Sequence, residues 1–207
     1  MGSGFVNSLS RPGGNATGFT QFEYGISAKW LELLKEISPN VTRVAVLRDS
    51  TGAAGVGQFA VIQAAAQPQG IEARPINVRD PTEIERDVAN FATSAIGRSG
   101  MILASSTNAL VHRDLIVKLA AKHRLPTVYA QREFVAAGGL ISYGTNIMAL
   151  LTNAAGYADR ILKGAKPADL PVQAPTKFEL VINTKTALAL GLEFPATVLA
   201  RAEDATQ

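Results

Sequence analysis

The sequence predicts an α/β fold built on a doubly wound parallel sheet. Three observations carry that expectation. Between residues 42 and 144, β-rich runs of five to eight residues alternate with stretches of helical periodicity. The first run, "TRVAVLRD" (42–49), is of the type buried on both faces. The links between them are short, so the alternation demands right-handed crossovers with helices on both sides of the sheet.

Each element follows from its own residues. "ISAKWLELLKEIS" (26–38) sets Ile26, Trp30, Leu33, Leu34 and Ile37 at helical spacing, and Pro39 closes it. "TRVAVLRD" (42–49) is the first strand, and "GAAGVGQFAVIQAAAQPQG" (52–70) a helix ended by Pro68 and Gly70. "IEARPINV" (71–78) is a strand whose internal Pro75 places it at an edge. "PTEIERDVANFATSAI" (81–96) opens with proline and acidic residues, as a helix N-terminus prefers. "GMILASS" (100–106) is the third strand and "TNALVHRDLIVKLAAKHRL" (107–125) its helix. "PTVYA" (126–130), a short helix over 131–137 and "GLISYG" (139–144) complete the alternation.

After Gly144 the pattern changes. A long amphipathic helix over 146–164 leads into a Lys/Pro/Asp loop, a strand "FELVIN" (178–183), a short helix (184–192) and a tail expected to fray. One strand and two helices cannot build a separate core. Ahead of residue 26, "SRPGGNATGFTQFEYG" (10–25) reads as a tight turn and a short polar strand, preceded by residues 1–9 that resemble a helix end.

Composition excludes several classes. Twenty Lys and Arg against 17 Asp and Glu leave a balance of +3 with no basic block, so a nucleic-acid partner is not expected. The absence of cysteine removes disulfides, thiol nucleophiles and thiolate metal sites. No apolar run approaches a membrane span, and Met1-Gly-Ser-Gly lacks the basic flank and apolar run of a signal peptide.

Motifs for chemistry are weak. Gly52 and Gly57 have phosphate-loop spacing, but Gln58 and Phe59 stand where the lysine and hydroxyl would act. His112 and His123 share one expected helix without acidic partners, so no metal site is expected, nor any cofactor. Ser105, His112 and Asp114 make a poor triad, since the last two share that helix, and no G-x-S-x-G occurs. The polar residues gather instead at the carboxyl ends of strands, in "RDSTG" (48–52), "SSTNA" (105–109), "AQREF" (130–134) and "SYGTN" (142–146). Ligands of open parallel sheets bind there, and hydroxyls and amides without a base–nucleophile pair suit holding a small polar molecule. Ser, Thr, Asn and Asp are also ordinary turn and cap residues.

"SLSRPGGNATGFTQFE", "KWLELLKEISPNVTRVAVLRD", "HRDLIVKLAAKHRLPTVY", "FVAAGGLISYG" and "RILKGAKPADLPVQAPTKFELVIN" together resemble the substrate-binding protein family of ABC transporters. The resemblance implies a type I periplasmic-binding-protein fold, with two α/β lobes closing by a hinge on a small polar solute such as an amino acid. It implies a permease partner, a periplasmic location and no catalysis. It divides the chain into the end of a first lobe and hinge crossing (1–25), a second lobe (26–144), and a return crossing with first-lobe elements (145–207), in a chain truncated at its N-terminus. Carried over position by position, it assigns ligand contacts to Asp49, Ser50, Thr51, Ser105, Ser106, Thr107, Asn108 and Tyr143, and hinge positions to Asn15 and Thr17. Ser50 departs from the proline that relatives often carry after "LRD". With the first lobe absent, the apolar faces of helix 146–164 and strand 178–183 would lack a core and favour self-association or disorder. The alternatives from other classes are an enzyme on the same sheet and a regulatory effector domain.

Overall fold

A computed structural model of the chain describes residues 5–21, 23–94 and 98–206. Its elements begin with α1 (Ile26–Ile37), β1 (Arg43–Arg48), α2 (Ala53–Ala66), β2 (Glu72–Asn77), α3 (Pro81–Thr93) and β3 (Ser99–Leu103). They continue with α4 (Thr107–Val111), α5 (Arg113–Lys122), β4 (Thr127–Tyr129), α6 (Arg132–Ala136) and β5 (Ile141–Thr145). The last are α7 (Ile147–Leu162), β6 (Phe178–Asn183), α8 (Thr184–Leu190), α9 (Ala196–Leu199) and β7 (Asp204–Thr206). The strands form one seven-stranded sheet in the order β2-β1-β3-β4-β5-β6-β7. The pairings β1–β2, β1–β3, β3–β4, β4–β5 and β6–β7 are parallel.

Alternation along β1 explains why helices cover both faces. Val44 and Val46 enter one apolar cluster with Trp30, Leu33 and Leu34 of α1 and Ile62 of α2. Ala45 and Leu47 enter the other, with Ile84, Val88 and Phe91 of α3 and Ile116 and Leu119 of α5. Each large apolar side chain so buried contributes roughly 1.5–3 kcal/mol. Pro75 sits in β2, the edge strand, where a missing N–H disturbs no outer ladder. Asp80 caps α3 by accepting from the backbone N–H of Thr82 and Glu83 at 2.8 and 3.0 Å.

Two expectations change here. The helix read as continuous over 107–125 breaks at His112, whose backbone (φ −100°, ψ 18°) leaves the helical region. Its N–H closes a tight turn onto Ala109, and α5 starts afresh from its carbonyl. The helix read over 81–96 ends at Thr93, and residues 95–97 lie outside the described residues.

By contacts the chain forms two units, Tyr24–Gly144 with Glu179–Gln207, and Met1–Glu23 with Thr145–Phe178. A boundary of these units falls after Phe178, within the block 145–207. Leu180, Val181 and Ile182 are buried in succession, which requires a strand covered on both faces, and β6 finds that in the sheet of the larger unit. The tail expected to fray supplies α9, whose Val198 enters the core, and β7.

In the smaller unit, the opening turn runs beside the loop after α7. Val172 N–H donates to Leu9, Thr20 N–H to Gln173, and Thr17 Oγ1 to the Leu170 carbonyl at 2.5 Å. Phe19 and Tyr157 rings meet at 4.8 Å, and Tyr157 Oη donates to the Pro171 carbonyl at 2.8 Å. Residues 5–9, read as the end of a helix, form bends closed by Asn7 N–H onto Pro12, while residues 1–4 lie outside the described residues. Tyr157 is the one buried residue of α7, whereas Met148 is 71% and Leu162 87% exposed.

Candidate ligand site at the strand ends

The chain leaves β1 for β2 on one side and returns to β3 on the other. Loops after β1 and β3 therefore diverge, and the crevice between them is where open α/β sheets hold ligands. Asp49, one residue beyond β1, is the hub of that crevice. Its Oδ1 accepts from Thr51 N–H at 2.8 Å and Thr51 Oγ1 at 2.7 Å, forming a closed turn. Its Oδ2 accepts from Asn108 Nδ2 of α4 at 2.7 Å. The Thr51 hydroxyl, then the Thr51 backbone N–H, with a smaller part from Asn108, hold the Asp49 carboxyl below its ordinary range.

Beneath this pair lies a second bridge. Gln58 of α2 is wholly buried, and its Oε1 accepts from Ser105 N–H at 3.0 Å while its Nε2 donates to Ser105 Oγ at 3.3 Å. Gln58 stands where a phosphate loop would carry lysine; here the amide is a strut between α2 and the β3 loop. The glycines around it serve packing. A Cβ on Gly55 would lie 2.3 Å from the Asp49 carbonyl oxygen, and one on Gly57 2.3 Å from the Tyr24 ring.

The other expected contacts divide by position. Ser106 is buried and caps α4 by accepting from Ala109 N–H at 3.2 Å, so its hydroxyl is committed to structure. Ser50, on the loop after β1, and Thr107, the first residue of α4, are exposed. Tyr143 lies in the middle of β5, two strands away from β3, where its carbonyl accepts from Trp30 Nε1 at 2.6 Å. Asp49, Thr51 and Asn108 are thus joined in one cluster, Ser105 is tied to Gln58, and Tyr143 stands apart on β5. Asn15 and Thr17 fall inside the smaller unit, ahead of its boundary at Glu23.

Three rim residues outside the assigned contacts carry unspent or paired polarity. Arg48 lays its guanidinium over the Phe59 ring at 5.1 Å, and its Nε and Nη1 are buried without a hydrogen-bond partner among the described residues. Gln131 Oε1, at the end of β4, is likewise buried and unpartnered. Arg132 pairs with Glu179 at 3.0 Å. Arg48 and Gln131 stand in the strand-end runs already noted in sequence; Gln58 does not, because α2 is apolar on every side and no stripe in its sequence marks the face that is buried. No group of three His, Asp or Glu converges for a metal among the described residues. Ser105 is bound to Gln58, and Asp114 to Arg113 at 2.9 Å, so neither forms a relay with His112.

A family model for ABC transporter substrate binding protein matches residues 1–206. The chain belongs to that family. It is 25% identical over 192 residues to the tyrosine-binding protein of Clostridioides difficile, covering 92% of this chain and 54% of that one. The chain thus spans about half the length of that relative. Among solved structures it superposes with a TM-score of 0.84 on the ABC domain of a Streptococcus pneumonia protein in complex with L-Trp. There the identity is 26%, over 99% of this chain and 69% of that one. A conserved domain protein from Vibrio cholerae superposes at 0.86 with 25% identity, over 97% of this chain and 66% of the other. These neighbours bear out the type I binding-protein architecture expected from the sequence. Among the described residues, no helix is long and apolar enough to cross a membrane.

Proposed function

We propose that this substrate-binding protein is the second lobe, with first-lobe elements, of a solute receptor for an ABC import system, and that its solute is an aromatic amino acid. The observation that carries the reading is the Asp49 carboxylate at the β1/β3 crevice. Held ionised, with three donors already accepted, it keeps lone-pair capacity toward the open side for an α-ammonium group. The names of the relatives that bind tyrosine and tryptophan supply the side-chain class. Binding occurs without chemical conversion, and delivery is to a permease from a periplasmic or extracellular position.

The mechanism is hinge closure. A solute seated on one lobe and touched by the other only when closed shifts the equilibrium by its differential affinity. Asn15 and Thr17 belong to the segment that leads between lobes. The exposed apolar residues of α7 are then surface meant for the remainder of the first lobe, and self-association is their fate without it.

The test is a titration of isotope-labelled chain with L-tyrosine and L-tryptophan. The expected result is saturable shifts at Asp49, Asn108 and Ser105 that Asp49→Asn abolishes. Absence of rim shifts with both amino acids at millimolar concentration overturns the reading.

A further inference from the structure

The end of the sheet opposite the crevice holds a cavity of about 470 Å³. That is the size of a small-molecule pocket. It is bounded where β3 and β4 begin, by the last turns of α3 and α5 and the chain after α8. Leu125, Pro126, Leu190 and Leu192 supply an apolar wall, and Ser38 and Thr93 add hydroxyls. None of the described residues lining it is acidic, and His123 and Arg124 both line it.

Two features mark this pair out. His123 Nε2 is buried and has no hydrogen-bond partner among the described residues. Such an atom is held out of water without compensation, a state that native chains rarely tolerate without reason. Arg124 has φ 51°, and no other non-glycine residue among those described has a positive value. It occupies the left-handed position just past α5, where glycine is usual. A bulky side chain kept in a strained backbone at a cavity mouth points to a use for that side chain. Its Nη2 donates to the Leu190 carbonyl at 3.3 Å, which holds the guanidinium at the end of α8 and leaves further N–H groups to donate.

We infer that this cavity is a second binding site, separate from the strand-end crevice, for a small carboxylate with an apolar aryl or alkyl body. The guanidinium takes the carboxylate, the His123 ring lines the cavity beside it, and the leucine wall takes the hydrocarbon. Cationic and apolar groups without a carboxylate among the described lining residues favour such an anion over a cation or a neutral sugar.

The chain has two histidines, so the imidazole signals make a clean readout once His112→Gln assigns them. Phenylacetate is the probe. It should move the His123 signals saturably with a Kd at or below about 1 mM, and leave His112 unmoved. Arg124→Gly relaxes the strained backbone while removing the guanidinium. It should weaken phenylacetate at least about tenfold with no fall in thermal midpoint. A His123 signal that does not move, or equal affinity in Arg124→Gly, overturns the site. Benzyl alcohol or inorganic phosphate binding as tightly as phenylacetate overturns the assigned ligand class. L-Tyrosine titration reports on the crevice through other signals, so either assignment can fail alone.

Discussion

Asn108 Nδ2 donates to Asp49 Oδ2 at 2.7 Å, tying α4, which follows β3, to the loop after β1 across the point where the strand order reverses. The residues most able to meet a ligand therefore also meet each other. Breaking the pair should disturb both shape and affinity at the crevice.

In a two-lobed receptor carrying this sequence, Asn108→Ala and Asp49→Ala should each weaken amino-acid binding by roughly 1–3 kcal/mol, the cost of one lost hydrogen bond to a buried polar partner. Asp49→Ala should cost more, because it removes the acceptor for both Thr51 and Asn108. Calorimetric titration checks this. Unchanged affinity in both variants removes the pair from the site.

The pH dependence has a defined sign. The folded-state value of Asp49 is depressed below its ordinary 3.8. Its stabilisation is therefore complete above that ordinary value and is lost as pH falls through the depressed one. The stability difference between the wild-type chain and Asp49→Asn should be flat at neutral pH and shrink in the acid limb. Thr51→Val should move the Asp49 carboxyl titration upward, as followed by carbon NMR.

Gly55→Ala should destabilise, although alanine is the better helix former. The added Cβ would sit 2.3 Å from backbone oxygen of Asp49, which cannot rotate away, and such overpacking costs roughly 1–3 kcal/mol. Gly156 in α7 is the control, since nothing lies within 4 Å of its added Cβ. Gly156→Ala should gain up to about 1 kcal/mol. Chemical denaturation of the two variants should give opposite signs.

Gln58→Leu should cost roughly 1–3 kcal/mol despite burying an apolar side chain, because Ser105 N–H loses its acceptor. Hydrogen exchange at Ser105 should rise beyond the global change. Equal exchange would mean that the strut is dispensable.

Met148→Ser with Leu151→Ser should reduce self-association, read by sedimentation velocity. These side chains are 71% and 54% exposed on one stretch of α7, and polar replacements there leave the Tyr157 contacts intact. A monomeric parent chain would remove the basis for expecting association.

Local chemistry made much of this chain legible from its sequence. Continuous apolar runs such as "RVAVLR", proline in the second strand and Asp80 ahead of Pro81 each act within a few residues, so strands, edge and cap could be read directly. The strand-end runs marked the rim for the same reason. Tertiary structure alone decided the rest. Nothing local distinguishes Gln58 from a solvent-facing amide until Ser105 is brought beneath it, forty-seven residues away in sequence. Nor does "FELVIN" say which sheet it joins: an apolar strand needs two covered faces, and only the fold places them beside β5 and β7. Periodicity specifies which elements form, because it depends on near neighbours. Partnership depends on which buried surfaces and unpaired polar atoms meet across the whole chain, and no short window of sequence contains both sides.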